Sequence, residues 1–152
     1  MFVTLAAALS AGCGGQAVGE VHIAVDSEFA PYATWTRVEL GDAVTIAPFG
    51  TTVPYNFVGH APDSMRTDAD GNVYVAMYQQ GRVMVFNDNG IPIGQILLPG
   101  RDSGHNLRST SLAFVPGTNE VLIVTNDATG GEGSWIFRAK GFAKGATLFS
   151  HQ

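Results

Sequence analysis

Asp63 and Ser64 stand side by side in Gly59-His60-Ala61-Pro62-Asp63-Ser64-Met65, and Asp70-Gly71-Asn72-Val73-Tyr74-Val75-Ala76 follows at once. A carboxylate can ligate a hard cation or move a proton, and a hydroxyl beside it adds another hard oxygen. On a loop just ahead of a strand, the pair would point into a shared space at one end of a sheet. One carboxylate alone can neither hold a metal nor run a hydrolysis, so its partners must come from elsewhere. By residue type alone, Asp63 also reads as a turn cap or a solvated loop residue. His60 and His105 sit in loop-like stretches, where they could contact a substrate or serve as loop hydrogen-bonders. Arg108 could bind a carboxylate or phosphate of a ligand, or close a salt bridge. Asp68, Asp70 and Asn72 are spaced like the start of a calcium loop, but no sixth-position Gly and no closing Glu follow, so an ordinary turn is expected. Asn126 and Asp127 read as turn formers. The chain has no phosphate loop, no zinc spacing and no Gly-x-Ser-x-Gly elbow.

The elements that must position Asp63 read as strands. Met65-Arg66-Thr67-Asp68 is a short strand candidate, and Asp70-Gly71-Asn72 is a tight-turn signal. Val73 to Tyr78 is apolar on both faces, as a buried central strand is. Gln79-Gln80-Gly81 turns the chain into Arg82–Phe86, and Asn87-Asp88-Asn89-Gly90 turns it into Pro92–Leu98. This is a four-stranded antiparallel meander. A second unit follows: Ser111–Val115, Val121–Thr125, Ser134–Ala139 and Ala146–Ser150. Val73 and Val121 take the same place in the two units, a spacing of 48 residues. Four strands repeating at that length are the signature of a β-propeller blade. Upstream, Val21–Val25, Thr36–Leu40 and Val44–Pro48 supply part of a third blade. The expected fold class is therefore all-β, a propeller of which about two and a half four-stranded antiparallel blades are present. Closed propellers take roughly four to eight, so a fragment, or completion by another chain, is the expectation. Trp35, Phe49, Tyr55, Phe57, Phe86, Phe114, Trp135 and Phe137 read as sheet-packing residues.

Composition narrows the function. The 152 residues carry Lys+Arg 8 against Asp+Glu 13, a formal charge of -5, which argues against nucleic acid as a partner. Hydrophobic residues make up 45% and charged ones 14%, so the chain is not a disordered one. No stretch is long enough to span a membrane as a helix. Cys13 is the single cysteine, which rules out an intramolecular disulfide. It follows the apolar run Leu5–Leu9, a poor match to a lipoprotein signal with no basic residue ahead of it. Residues 1–33 therefore read as a ragged N-terminus, either a weak signal or a blade remnant, and 34–152 as the partial propeller.

From about Trp35 onward the chain resembles the C-terminal half of the senescence marker protein/gluconolactonase family, which includes regucalcin and calcium-dependent lactonases. The resemblance is carried by Pro48-Phe49-Gly50-Thr51-Thr52-Val53-Pro54-Tyr55, Gly59-His60, Pro62-Asp63-Ser64, Asn72–Tyr78 and Gly81-Arg82-Val83. It continues through Gly94-Gln95-Ile96, Pro99–Asp102, Gly104-His105, Leu107–Thr110, Pro116–Asn119 and Gly141–Gly145. It implies a six-bladed propeller with a metal in its channel. It also implies that Asp63 is a metal-site carboxylate and proton donor, and that Ser64 belongs to the metal site. Calcium is the implied cofactor, with Zn²⁺ or Mg²⁺ as other divalent cations. The implied reaction is hydrolysis of a small-molecule lactone or related ester. The family's remaining ligands belong to blades with no counterpart here, and Asp26 and Glu28 are the carboxylates that could stand in for them. The alternative is a catalytically silent half-propeller, a binding module or gene remnant that self-associates to cover its open blade edges. The resemblance implies a cytoplasmic location, and export through Cys13 is the alternative.

Overall fold

Val73-Tyr74-Val75-Ala76-Met77 has no polar face, and the chain buries it from both sides. The computed structural model describes the backbone at 3–10, 18–25, 32–40, 46–59, 62–127, 131 and 133–147, with side-chain surroundings from Val53 onward within those ranges. The strands are β1 (Val3–Ser10), β2 (Val18–Val25), β3 (Tyr32–Leu40), β4 (Ile46–Val58), β5 (Pro62–Thr67), β6 (Val73–Met77), β7 (Arg82–Phe86), β8 (Pro92–Leu97), β9 (Ser109–Phe114), β10 (Glu120–Asp127) and β11 (Gly133–Lys140). A short 3₁₀ turn, Arg101–Ser103, lies between β8 and β9. They form a four-stranded sheet β1-β2-β3-β4, a four-stranded sheet β5-β6-β7-β8 and a three-stranded sheet β9-β10-β11, all antiparallel.

The sheets repeat one spatial relation. β5 lies against β1 and β2, and β9 lies against β5 and β6. Successive sheets so related, each leading with the strand that meets its predecessor, are stacked blades of a β-propeller. The strands of the second sheet match the boundaries expected from periodicity and turn residues within a few residues. Of the short strand expected at Val44–Pro48, the part from Ile46 begins a longer one, since β4 runs Ile46–Val58; residues 44 and 45 lie outside the described residues. The expected strand at 146–150 behaves differently. Gly145 bridges to Asp68, and the Ala146 amide donates to the Thr67 carbonyl at 3.1 Å. The chain after β11 thus runs to the end of β5 instead of lying beside β11; residues 148–150 lie outside the described residues.

Two apolar layers hold the sheets together. Phe57 of β4 packs with Met65, Val73, Val75, Met77 and Phe86 between the first and second sheets. Tyr55, Phe57 and Phe86 stack at 4.7 to 5.6 Å between ring centroids, the tilted and edge-on geometries aromatic rings prefer. Gly90, at φ 78°, lets the β7–β8 turn meet the Pro54 backbone, where any Cβ would collide. Tyr74, Ala76, Val83, Val85 and Leu98 face Leu112, Val121 and Ile123 in the second layer, with Phe114 and Phe137 at its margin. Trp135 departs from the sheet-packing expectation, since it is 56% exposed on β11.

The β5–β6 turn is tied by one carboxylate. Asp68, 2% exposed, accepts from the amides of Asp70 (3.1 Å) and Asn72 (2.9 Å), from Asn72 Nδ2 (2.9 Å) and from the Tyr74 hydroxyl (3.0 Å). The calcium-like spacing of Asp68, Asp70 and Asn72 is therefore an Asx-type turn whose acid is satisfied by protein donors. The Tyr74 oxygen in turn accepts from the Phe142 amide at 2.7 Å, fastening the segment after β11 to β6. Burial lifts the Tyr74 phenol far above its ordinary value; the Phe142 amide opposes that rise and the Asp68 carboxylate adds to it.

Two outcomes follow from this knot. Asp68→Ala removes hydrogen bonds to a buried charge and should lower the unfolding free energy by about 3 kcal/mol, read by urea denaturation. Because folding raises the Tyr74 pKa, its contribution is complete below the unfolded value of about 10 and declines as pH rises beyond it. A stability scan from pH 8 to pH 11 (chosen to bracket about 10) should fall at the alkaline end, and Tyr74→Phe should flatten that fall.

Candidate functional site

Pro62 pairs with Met77 and Met65 pairs with Val75, so Asp63 and Ser64 together lie opposite Ala76. Two residues against one make a β-bulge, which bends a strand and re-aims its side chains. Ala76 is fully buried, whereas Asp63 and Ser64 are each half-buried, so the bulge keeps both oxygen-bearing side chains out of the apolar layers. It sits at the start of β5, not on a loop ahead of the strand.

The neighbouring sheet is fastened to this same point. Ser109, the first residue of β9, is fully buried; its hydroxyl donates to the Met77 carbonyl at 2.8 Å, with the Arg82 carbonyl at 3.2 Å. Ser109 pairs with Thr125 of β10, and the Asn126 amide donates to the Arg108 carbonyl at 2.9 Å. Asp63, Ser64, Arg108 and the end of β10 therefore share one end of two adjacent sheets. The β8–β9 connection covers that end. The Gly81 amide donates to Leu107 O at 2.8 Å, and Arg101 Nε donates to Gln80 O at 2.8 Å.

Of the residues expected at a site, this geometry brings Asp63, Ser64 and Arg108 to one end. His105 is exposed on the covering connection, its amide donating to Gly100 O at 3.0 Å. His60, Asp26, Glu28 and Cys13 lie outside the described residues. Asp127 is a correction: it is the buried last residue of β10, not a turn former. Val121, Ile123, Thr125 and Asp127 alternate as the buried face of β10, towards the second sheet. Thr125 Oγ1 and Asp127 Oδ2 have no hydrogen-bond partner among the described residues. The period-two alternation through Val121 and Ile123 is the signal that could have found them. The end that carries Asp63 thus also carries buried acceptor oxygens on the next sheet. Oxygen donors of this kind suit a hard divalent cation, which takes about six to eight of them. The number falls short, because among the described residues no group of three or more His, Cys, Asp or Glu is placed to hold a metal. A cavity of about 270 Å³ lies elsewhere, at the far end of β5, between Arg66 and Phe114.

Residues 22–127 match the family model described as SMP-30/Gluconolactonase/LRE-like region. The chain belongs to this family. Among curated relatives, Lactonase drp35 of Staphylococcus saprophyticus is 61% identical over 107 residues, covering 70% of this chain and 33% of the relative. Lactonase drp35 of Staphylococcus aureus strain USA300 is 59% identical over 112 residues, 73% of this chain and 35% of the relative. The chain spans about a third of the length of the curated relatives it matches. Among solved structures, a luciferin-regenerating enzyme superposes with a TM-score of 0.57 at 15% identity, over 88% of this chain and 56% of that one. Regucalcin from Agrobacterium tumefaciens, described as a calcium-binding protein, superposes with a TM-score of 0.56 at 18% identity, over 97% of this chain and 64% of that one. At such identities these two structures bear on the fold alone. Among the described residues no helix is long and apolar enough to cross a membrane.

The Ser109 hydroxyl is the strap between the bulge and β9. Ser109→Ala should cost about 1 kcal/mol in urea denaturation, and hydrogen exchange at Asn126 and Arg108 should quicken more than at Val75.

Proposed function

We propose that this chain carries the Asp63–Ser64 part of a propeller lactonase active site, and that the site hydrolyses a lactone or related ester of a small molecule. The observation that supports it best is the bulge that lifts Asp63 and Ser64 out of the apolar layers, within the span matched by the family model and by relatives described as lactonases. In the reaction, water adds to the lactone carbonyl, the ring C–O bond breaks and a hydroxy acid is released. Asp63 takes a proton from the attacking water and returns it to the leaving alkoxide, so the carboxylate ends as it began. Ser64 orients the water or the carbonyl beside it. Arg108, at the same end, and His105, on the covering connection, meet the substrate's polar groups, with His60 as a further contact.

A divalent cation, calcium foremost and Zn²⁺ or Mg²⁺ otherwise, would be held by the Asp63 carboxylate and the Ser64 hydroxyl, and when bound it polarises the carbonyl and acidifies water. Those oxygens match the cation in type, and a cation of about six to eight ligands needs more than they supply. This reading goes with a cytoplasmic location, with export through Cys13 as the alternative.

A second reading is supported by the apolar surface that β11, the outer strand of its described sheet, leaves exposed. It is a catalytically silent half-propeller that binds a partner or a second copy. The exposed Trp135 and Ile136 on β11 favour such self-association. Hydrolysis of a simple aromatic lactone, followed with and without calcium, separates the two. The enzyme reading predicts calcium-dependent turnover that drops at least about a hundredfold in Asp63→Ala. Unchanged turnover in that variant rules out the mechanism, and a monomer that neither binds calcium nor turns over leaves the silent module.

A further inference from the structure

We propose that the cavity at the far end of β5 binds a small organic monocarboxylate through Arg66. Arg66 and Thr67 from β5, Ala113 and Phe114 from β9, Pro116 and Gly145 line about 270 Å³ of space. The cavity lies four residues along the strand from Asp63, at the opposite end of the two inner strands, so it is separate from the bulge.

Its walls are built in advance. Gly145 N donates to Thr118 O at 3.0 Å, Ala146 N donates to Thr67 O at 3.1 Å, and Ala69 N donates to Lys144 O at 2.7 Å. These bonds hold the segment after β11 across the ends of β5 and β9. Gly145 passes so close to Phe114 that any Cβ there would collide with the ring and its Cβ. The wall therefore depends on a glycine at that position, and its backbone stays close to Phe114.

Arg66 supplies the charge. It is half-buried, on the side of β5 that faces β9, opposite to Met65, which packs in the layer against the first sheet. Nη1 donates to the Met65 carbonyl at 2.7 Å, and the guanidinium has no other hydrogen bond and no carboxylate partner among the described residues. One donor of a planar five-donor fork is thus spent on the backbone, and Arg66 is the charged residue among those that line the cavity. Such a fork matches a carboxylate in shape and charge. Phe114, Pro116 and Ala113 offer an apolar surface to the hydrocarbon part of the ligand. A single guanidinium neutralises one negative charge, and the rest of the lining is uncharged, so a monoanion fits better than a phosphate dianion. The volume suits a compact acid, being near the lower bound of ligand pockets, roughly 300 Å³.

Benzoate is the probe, titrated into the full chain and followed by two-dimensional NMR, with benzyl alcohol and inorganic phosphate as controls. Saturable shifts are expected at Arg66, Phe114 and Gly145, with benzoate binding at least about tenfold tighter than benzyl alcohol or phosphate. Arg66→Gln should weaken benzoate at least about tenfold, and Arg66→Lys, which keeps the charge and loses the fork, should fall between. Ala113→Phe narrows the cavity while keeping Arg66 in the chain and should also abolish binding. Asp63→Ala should leave binding unchanged, which separates this site from the proposed hydrolytic one. Benzoate affinity that is equal in wild type and Arg66→Gln, phosphate binding as tight as benzoate, or no saturable shift in wild type would each overturn the proposal.

Discussion

β6 has to be buried on both faces, and the rest of the structure follows from that. Val73, Val75 and Met77 point into one apolar layer, Tyr74 and Ala76 into the other, and all five residues are buried. A strand without a polar face is stable only between two other sheets, because each large side chain gives up about 1.5 to 3 kcal/mol if left in water. The second sheet must therefore be flanked, by Phe57 on one side and by Leu112, Val121 and Ile123 on the other. Flanking on both sides is what stacks the three sheets as successive blades. The stacking in turn brings the start of β5 and the start of β9 to a common end, where the Ser109 hydroxyl joins them.

The two ends of the stack treat their carboxylates in opposite ways. Asp68, at one end, is surrounded by amide and hydroxyl donors and spends its charge on holding a turn. Asp63, at the other, is held partly exposed by a bulge, and Asp127 on the next sheet keeps a buried oxygen without a partner among the described residues. An acid whose lone pairs are filled by its own turn stabilises the fold, and Asp68 is such an acid; Asp63 differs from it in standing half-exposed on a bulge. By spacing alone Asp68-x-Asp70-x-Asn72 reads like a cation loop, and the hydrogen bonds to Asp68 show a closed turn instead.

Much of the fold is legible in the sequence. Arg82–Phe86 begins and ends where the glycine turn at 81 and the Asn87–Gly90 cluster say it should. Val73–Met77 announced its two-sided burial through its lack of a polar face. These signals are local, and local signals set strand limits well. The bulge at Asp63–Ser64 was not legible, because it exists only in the register between β5 and β6. Nor is the burial of Asp127, which depends on β10 running beyond Thr125, past the last apolar residue of that face. The pairing of Gly145 with Asp68 is not legible for the same reason: the repeat pattern calls for a strand beside β11, and the Tyr74–Phe142 bond takes the chain elsewhere.

The most direct measurement is a calcium titration of the full chain followed residue by residue by two-dimensional NMR. If the bulge end is the ligand-binding end, amide shifts will concentrate at Asp63, Ser64, Ala76, Met77 and Ser109, while Asp70 and Asn72 stay still. Saturable shifts centred on the Asp68–Asn72 turn, with none at the bulge, would contradict the account.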